Sequence, residues 1–301
     1  MLVNHHTLGK LFTGLKRTFD RGFELAKPKY KEVAMVIPSS TELEQYDWLG
    51  VFPGMREWLG DRVVQSLGTH QYSIRNKDWE WTLGVERNKI QDDQFGIYTP
   101  MTQRAGEAAA LHPDELVFGD LLNNGRSTDG FHNSYDGVPF FAATHPHEDL
   151  GTVANVHTNG ASAYWYLADL STSLKPLIFQ NRQAPKFVLK MSPNDDNVFF
   201  EKKFLMGADA RYNGGYGFWQ LMFASNRTLD ATNLEAAWTA MMSLTADNGK
   251  PLNIAPTHLI VPTVHHWTAK RLIEQGVLAT GEENIHARSV TIINSKHLAN
   301  T

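Results

Sequence analysis

Residues 79–85 read Trp-Glu-Trp-Thr-Leu-Gly-Val, and this alternation constrains the fold more than any other feature of the chain. Trp79, Trp81, Leu83 and Val85 fall on one face of a strand, with polar or small residues on the other. Upstream, Tyr72 and Ile74 also alternate with polar residues, and Asn76-Lys77-Asp78 supplies turn chemistry. Residues 70–86 are therefore expected to form a β-hairpin with one apolar face. A two-stranded ribbon is too thin to bury that face alone. Covering each large apolar side chain is worth about 1.5–3 kcal/mol, so the ribbon calls for a second surface, on the same chain or on a neighbour.

Composition narrows the classes. Of 301 residues, 42% are hydrophobic and 20% charged, which excludes wholesale disorder. The absence of cysteine removes disulfides, thiolate metal sites and thiol nucleophiles together, and fits synthesis in a reducing compartment. A net charge of −4 provides no basic field to draw nucleic acid. No run approaches the ~18 apolar residues of a membrane span. The opening Met1-Leu2-Val3-Asn4-His5-His6 lacks the pattern of an export signal, so a soluble protein is expected. The 8 Trp, 9 Tyr and 16 Phe suit either a large core or extensive packing between chains.

Charge is distributed unevenly. Residues 1–31 carry seven Lys or Arg against Asp20 and Glu24, a net +5, while residues 92–120 carry six acids against Arg104, a net −5. Leu8, Leu11, Phe12, Leu15 and Phe19 keep helical spacing, so the basic arm opens with an amphipathic helix. That helix either docks on its own domain or lies across a neighbouring subunit, and the two charged segments are expected to meet. After Pro100 the pattern is helical as far as Leu122, interrupted at Pro113, which predicts one kinked helix or two meeting there. From 126 to 230 the chain reads as strands and turns. Strands are expected at 138–141, 187–189, 198–200 and 218–223, with Asn213-Gly214-Gly215 as a turn. A helix near 233–246, a strand at 258–262 and a helix capped by Thr263 complete an α+β chain.

No catalytic constellation emerges. His145 and His147 could chelate from one strand face, but Pro146 favours a loop, and His147-Glu148 is never followed by the second His of a zincin helix. His265-His266 lies at a helix start, and Asp92-Asp93 and Asp195-Asp196 are neighbours whose side chains diverge, making poor acid–base partners. There is no phosphate-binding glycine loop and no nucleophile elbow. Two classes remain: an assembly protein with large interfaces, and a metal-dependent hydrolase built on His145 and His147. The ribbon and the charged arm favour assembly.

Several segments carry a resemblance. They are Tyr46-Asp47-Trp48-Leu49-Gly50 with Pro53, Met55-Arg56-Glu57-Trp58-Leu59-Gly60 with Arg62, and Asp92-Asp93-Gln94-Phe95-Gly96-Ile97-Tyr98 with Pro100. His112-Pro113-Asp114-Glu115-Leu116-Val117 follows, then Tyr135-Asp136-Gly137-Val138-Pro139-Phe140-Phe141 ahead of His145-Pro146. Leu174-Lys175-Pro176-Leu177-Ile178-Phe179-Gln180 with Arg182, Phe218-Trp219-Gln220 and Leu259-Ile260-Val261-Pro262 complete the set. In number and order these resemble the major head subunit (major capsid protein) of Mu-like bacteriophages and prophages, from about residue 40 to 275.

The resemblance implies an α+β tailed-phage capsid (HK97-like) fold. Its expected parts are an N-terminal arm at 1–60, an extended hairpin loop at 61–90, a spine helix and peripheral domain at 91–230, an axial domain at 231–280, and a C-terminal segment, 281–301, returning to the peripheral domain. It implies a structural protein of the virion, not an enzyme, with no cofactor and no metal. Its partners would be copies of itself in hexamers and pentamers, with a scaffold protein, a head protease and a portal during assembly in the host cytoplasm. The shell would enclose double-stranded DNA without sequence-specific binding, and no membrane is involved. Expected inter-subunit contacts are Trp79, Trp81, Leu83 and Val85, with Arg56 and Arg62 pairing or stacking near Trp48 and Trp58.

Overall fold

The computed structural model describes residues 5–49, 72–92, 96, 98–147, 150–246, 249–277 and 281–300. The first helix, α1 (His5–Leu25), is amphipathic as its spacing predicts: Leu15 and Phe19 are buried, while Lys10, Lys16, Arg17 and Arg21 face solvent. After it the chain is seated by the buried Asp114. Its carboxylate accepts from the backbone N–H of Lys29 (2.9 and 3.0 Å) and Tyr30 (2.7 Å), at the start of α2 (Tyr30–Val33). Strand β1 (Ala34–Pro38) follows directly.

The expected hairpin at 70–86 is not what forms. β2 (Leu43–Gln45) pairs antiparallel with β3 (Ser73–Arg75), whereas β4 (Lys77–Glu86) pairs elsewhere. Asn76 explains the difference. Its N–H donates to the Glu42 carbonyl at 2.9 Å, and its Nδ2 donates to Ser39 Oγ and the Thr41 carbonyl, both at 2.8 Å. The residue read as a turn former thus ties the β3–β4 junction to the 39–42 loop instead of reversing the chain.

After α3 (Arg87–Gln91), α4 (Tyr98–Asp114) continues without a break into a π-helical stretch, Glu115–Leu122. Pro113 lies inside the rod, so the kink-or-junction alternative resolves as one helix that widens. Proline has no N–H to donate, and a wider turn after it relieves the missing bond. The Leu121 and Leu122 carbonyls at the π-helix end accept from the hydroxyls of Tyr216 (2.9 Å) and Tyr166 (3.0 Å). Burial pushes Tyr166 up to about 12, so its proton stays available to donate.

Beyond the helix, β5 (His145–His147) pairs with β6 (Gly151–Val153), and β7 (Val156–His157) and β8 (Trp165–Ala168) lead to two strands of 14 residues each. These are β9 (Leu177–Lys190) and β10 (Lys203–Tyr216), separated by α5 (Asp196–Phe199). The expected strand at 198–200 is thus a helical turn and its end, because the Asp195 carbonyl captures the N–H groups of Val198 and Phe199, both at 2.9 Å. Asn213-Gly214-Gly215 lies inside β10 and is not a turn. A Cβ at Gly215 would run into Ile74, and one at Gly214 would meet Leu121, so the glycines permit close packing rather than chain reversal. Residues 138–141 form no named strand, although Phe140 and Phe141 are buried.

One sheet has the order β1-β9-β10-β4, with β1 parallel to β9 and the other pairs antiparallel. The chain ends with β11 (Met222–Ser225), α6 (Ala231–Met242), β12 (His258–Val261), α7 (His266–Ile273) and β13 (Thr291–Asn294). The second sheet has the order β13-β12-β8-β11-β7. Thr263 does not cap α7. A short 3-10 turn, Thr263–His265, intervenes and His265 takes the cap position. The large core gathers β8, β11, β12 and the π-helix around the Leu177–Phe179 end of β9, and a second core joins Leu15, Phe19, Val85, Phe187 and Phe204.

The expected meeting of the +5 and −5 segments takes place, but not through charge. α1 packs on α4 where Gly22 abuts the carbonyl of Gln103 and Gly106 abuts the carbonyl of Phe19, contacts that leave no room for a Cβ. The amphipathic spacing that buries Leu15 and Phe19 turns the cations outward. Gly22→Ala or Gly106→Ala should therefore force the helices apart and cost on the order of 1–3 kcal/mol, as overpacking does. Gly14→Ala, with nothing within 4 Å of the added carbon, should instead stabilise by about 0.5–1 kcal/mol through helix propensity. Urea melts of the three variants check this contrast.

Candidate functional site: assembly surfaces

The histidine pair is the first candidate, and its groups are already engaged. β5 puts His145 and His147 on one face of a strand. His145 is fully buried: Nδ1 lies 2.6 Å from the Asp136 carboxylate, Nε2 lies 3.2 Å from Asn155 Oδ1, and the ring stacks on Trp219 at 3.9 Å between centroids. His147 bonds the Thr245 carbonyl at 3.1 Å and accepts from the Leu150 N–H at 3.2 Å. His265 lies against Ser162 Oγ and the Ala163 carbonyl, both at 3.0 Å, and His266 packs on Trp267. Among the described residues no three His, Asp or Glu side chains are grouped to hold a metal.

The paired carboxylates fare likewise. Asp195 accepts from the Ser192 N–H at 2.9 Å, Asp196 opens α5, and Asp92 is exposed next to Asp93, which is outside the described residues. Asp195 and Asp196 form no acid–base couple, and no part of the hydrolase alternative gains support.

The expected contact residues separate into three groups. Arg56, Arg62 and Trp58 lie outside the described residues. Trp48 is half-buried and packs on rings of its own chain, 6.3 Å from Tyr46 and 5.8 Å from Phe218 between centroids. In β4, Val85 is buried in the second core, Leu83 and Trp79 are half-buried against the same chain, and Trp81 keeps 37% of its surface exposed. The ribbon thus finds much of its cover in β10 and its surroundings. β4 is an edge strand, and its outer side is unpaired among the described residues.

Other exposed apolar groups were missed by periodicity. Phe199 and Phe200 stand 73% and 75% exposed between β9 and β10, and Trp267 at the start of α7 is 68% exposed. Ser192-Pro193-Asn194-Asp195-Asp196 before the two phenylalanines was the available signal, because aromatics just after so polar a turn seldom enter a core. The cations of α1, namely Lys10, Lys16, Arg17 and Arg21, and Lys27 just after it form no ion pair among the described residues. No described helix is long and apolar enough to cross a membrane.

Burial lowers the pKa of His112, His157 and His258. The unfolded chain binds protons at these rings near the ordinary value of about 6.5, where the folded chain resists them. Their contribution to stability is thus complete above that value and lost as pH falls below it. Melting temperature should accordingly drop between pH 7.5 and 5.5, and His112→Gln should flatten that drop in a calorimetric pH series.

The family model described as Mu-like prophage major head subunit gpT matches residues 8–298. The major capsid protein of Escherichia phage Mu is 39% identical over 295 residues, covering 95% of both chains. The Mu-like prophage FluMu major head subunit of Haemophilus influenzae is 39% identical over 280 residues, covering 89% of both. Among solved structures, the bacteriophage JBD30 procapsid superposes with a TM-score of 0.86 at 38% identity, covering 98% of this chain and 100% of that one. The JBD30 capsid superposes with a TM-score of 0.78 at 32% identity, covering 91% and 92%. The α+β architecture is that of phage major capsid proteins, which are structural and not enzymes. The chain belongs to the Mu-like prophage major head subunit family.

Proposed function

We propose that copies of this chain form the hexamers and pentamers of an icosahedral head that encloses double-stranded DNA. The observation that carries this reading is superposition on a procapsid subunit over 98% of the chain. Exposed aromatics at separated places, Trp81 on β4, Phe199 and Phe200 after β9, and Trp267 on α7, supply apolar area for contacts between copies. The outer edge of β4, unpaired among the described residues, is a second feature that such a neighbour would cover. Scaffold protein, head protease and portal are the partners this role requires during assembly in the host cytoplasm. With a net charge of −4, the wall would hold its DNA without a strong attractive field.

The parts of the subunit follow the sheets. The long β9–β10 sheet with α1 and α4 is assigned as peripheral domain and spine, and the five-stranded sheet with α6 and α7 as axial domain. Arg56, Arg62, Trp48 and Trp58 are further proposed contacts to a neighbour.

Electron microscopy of the overexpressed protein tests this reading. Shells, tubes or rings are expected, and a monodisperse particle of one 33.9 kDa chain at all concentrations would overturn it. Replacing Trp81, Phe199 and Phe200 by Ser should abolish closed assemblies while leaving the melting temperature of the subunit within a few degrees of wild type. Unchanged shells from that variant would remove these residues from the contact.

A further inference from the structure

A cavity of about 260 Å3 opens between α1, α4 and the β4–β10 side of the long sheet. Trp79, Trp81, His112 and Tyr212 wall it, and alanines of α4 and β10 line the space between. Three of the rings are fixed in advance. Trp79 Nε1 donates to the Tyr212 carbonyl at 2.9 Å, the Tyr212 hydroxyl and His112 Nδ1 share a hydrogen bond of 2.7 Å, and the Trp79 and His112 centroids lie 4.5 Å apart. With those polar atoms engaged, the cavity offers rings and methyl groups, and a neutral apolar guest fits it. An apolar cavity of roughly 150 Å3 holds a benzene ring, so this one has room for a phenyl group and part of a second.

The subunit also carries a projection of that size. Phe199 and Phe200 stand 73% and 75% exposed with their rings edge to face, 5.0 Å apart between centroids. Their base is tied down. The Asp196 carbonyl accepts from the Phe200 N–H at 2.8 Å, Asn197 Nδ2 donates to the Lys190 and Lys203 carbonyls at 3.2 and 2.7 Å, and the Lys202 carbonyl accepts from the Arg87 N–H at 2.8 Å. Apolar rings ordered in advance lose little freedom on docking. Charge selects this projection among the exposed aromatics. Glu115 is exposed in the cavity lining, Lys202 is exposed just after Phe200 and Glu201, and neither forms an ion pair among the described residues. Phe131, by contrast, donates its N–H to the Asp129 carboxylate at 2.9 Å and would bring a like charge to Glu115. Trp267 already has His266 and Lys270 against its ring.

We infer that the Phe199–Phe200 projection of one copy docks in the Trp79–His112–Tyr212 cavity of a second copy, with Lys202 meeting Glu115 at the rim. The contact rests on the assembly reading above and goes beyond it by pairing two specified surfaces. Because those surfaces differ, the contact is heterologous and passes from copy to copy, as a ring requires. It does not close within one chain, since Lys203 and the cavity's Tyr212 lie about 30 Å apart along β10 at ~3.3 Å per residue.

Two measurements test it. In the first, the unassembled full-length chain is titrated with a synthetic peptide of residues 194–203, followed by tryptophan fluorescence and calorimetry. Saturable binding is expected. A peptide carrying Phe199→Ser and Phe200→Ser should be silent, and one carrying Lys202→Glu at least threefold weaker. In the chain, Ala108→Phe at an exposed position of the lining should fill the cavity and abolish binding while keeping the circular dichroism melt. The second measurement uses the absence of cysteine, which lets Lys202→Cys and Glu115→Cys report on each other by disulfide formation. Oxidised particles of the double variant should give a ladder of covalent multimers, and a mixture of the two single variants should give dimers only. Particles without these cross-links, or Lys202→Cys alone cross-linking to its own kind as efficiently, would overturn the inference. So would a peptide that does not saturate, or a Ser peptide that binds as well. The titration reads the cavity even if no particle forms, so failure of this contact is distinct from failure of the assembly reading.

Discussion

The ladder between β9 and β10 spans two separate apolar cores, and the rest of the subunit leans on its two ends. At one end, Leu177, Ile178 and Phe179 with Tyr212 and Tyr216 belong to the large core beneath the π-helix. At the other, Phe187, Phe204 and Met206 meet Leu15 and Phe19 of α1 and Val85 of β4. Between them the register shifts around Asp209–Tyr212. Such irregularities bend and twist a strand, which lets one pair of strands serve two cores that face different neighbours.

The helices attach to this ladder by contacts in which shape outweighs charge. α1 and α4 approach until glycine at one position faces backbone at the other, and their apolar faces close over the second core. Two acids of the 92–120 segment are engaged in hydrogen bonds. Asp114 holds the amides of Lys29 and Tyr30, and Asp120 accepts from Asn124 Nδ2 at 2.8 Å. Exposed ion pairs contribute only ~0–1 kcal/mol each, so leaving the α1 cations in solvent costs the fold little. It also keeps them available to other molecules.

Much of this was legible in the residues. The spacing of Leu11, Leu15 and Phe19 gave α1, the apolar run Leu259-Ile260-Val261 gave β12, and the alternation from Trp79 to Val85 gave a strand needing cover. What periodicity could not give was the partner of that strand, because β10 lies more than a hundred residues downstream and pairing at that range leaves no local mark. Turn chemistry misled for a related reason. Asn76 and Gly214-Gly215 are turn formers by local preference, yet tertiary contacts recruit the asparagine for its side-chain amide and the glycines for their lack of a Cβ. The aromatic cavity was invisible for the same cause, since Trp79, His112 and Tyr212 meet only when β4, α4 and β10 converge.

The central claim is that the β9–β10 ladder makes the two cores a single cooperative unit. Hydrogen exchange followed by mass spectrometry on the unassembled chain measures this directly. Peptides covering Leu177–Lys190 and Lys203–Tyr216 should exchange slowest in the chain and open together along their whole length, at a rate set by global unfolding. If the Phe187–Lys190 and Lys203–Met206 end instead opened early, alongside α1 and independently of the Leu177–Phe179 end, the two cores would be separate units and the account would be wrong.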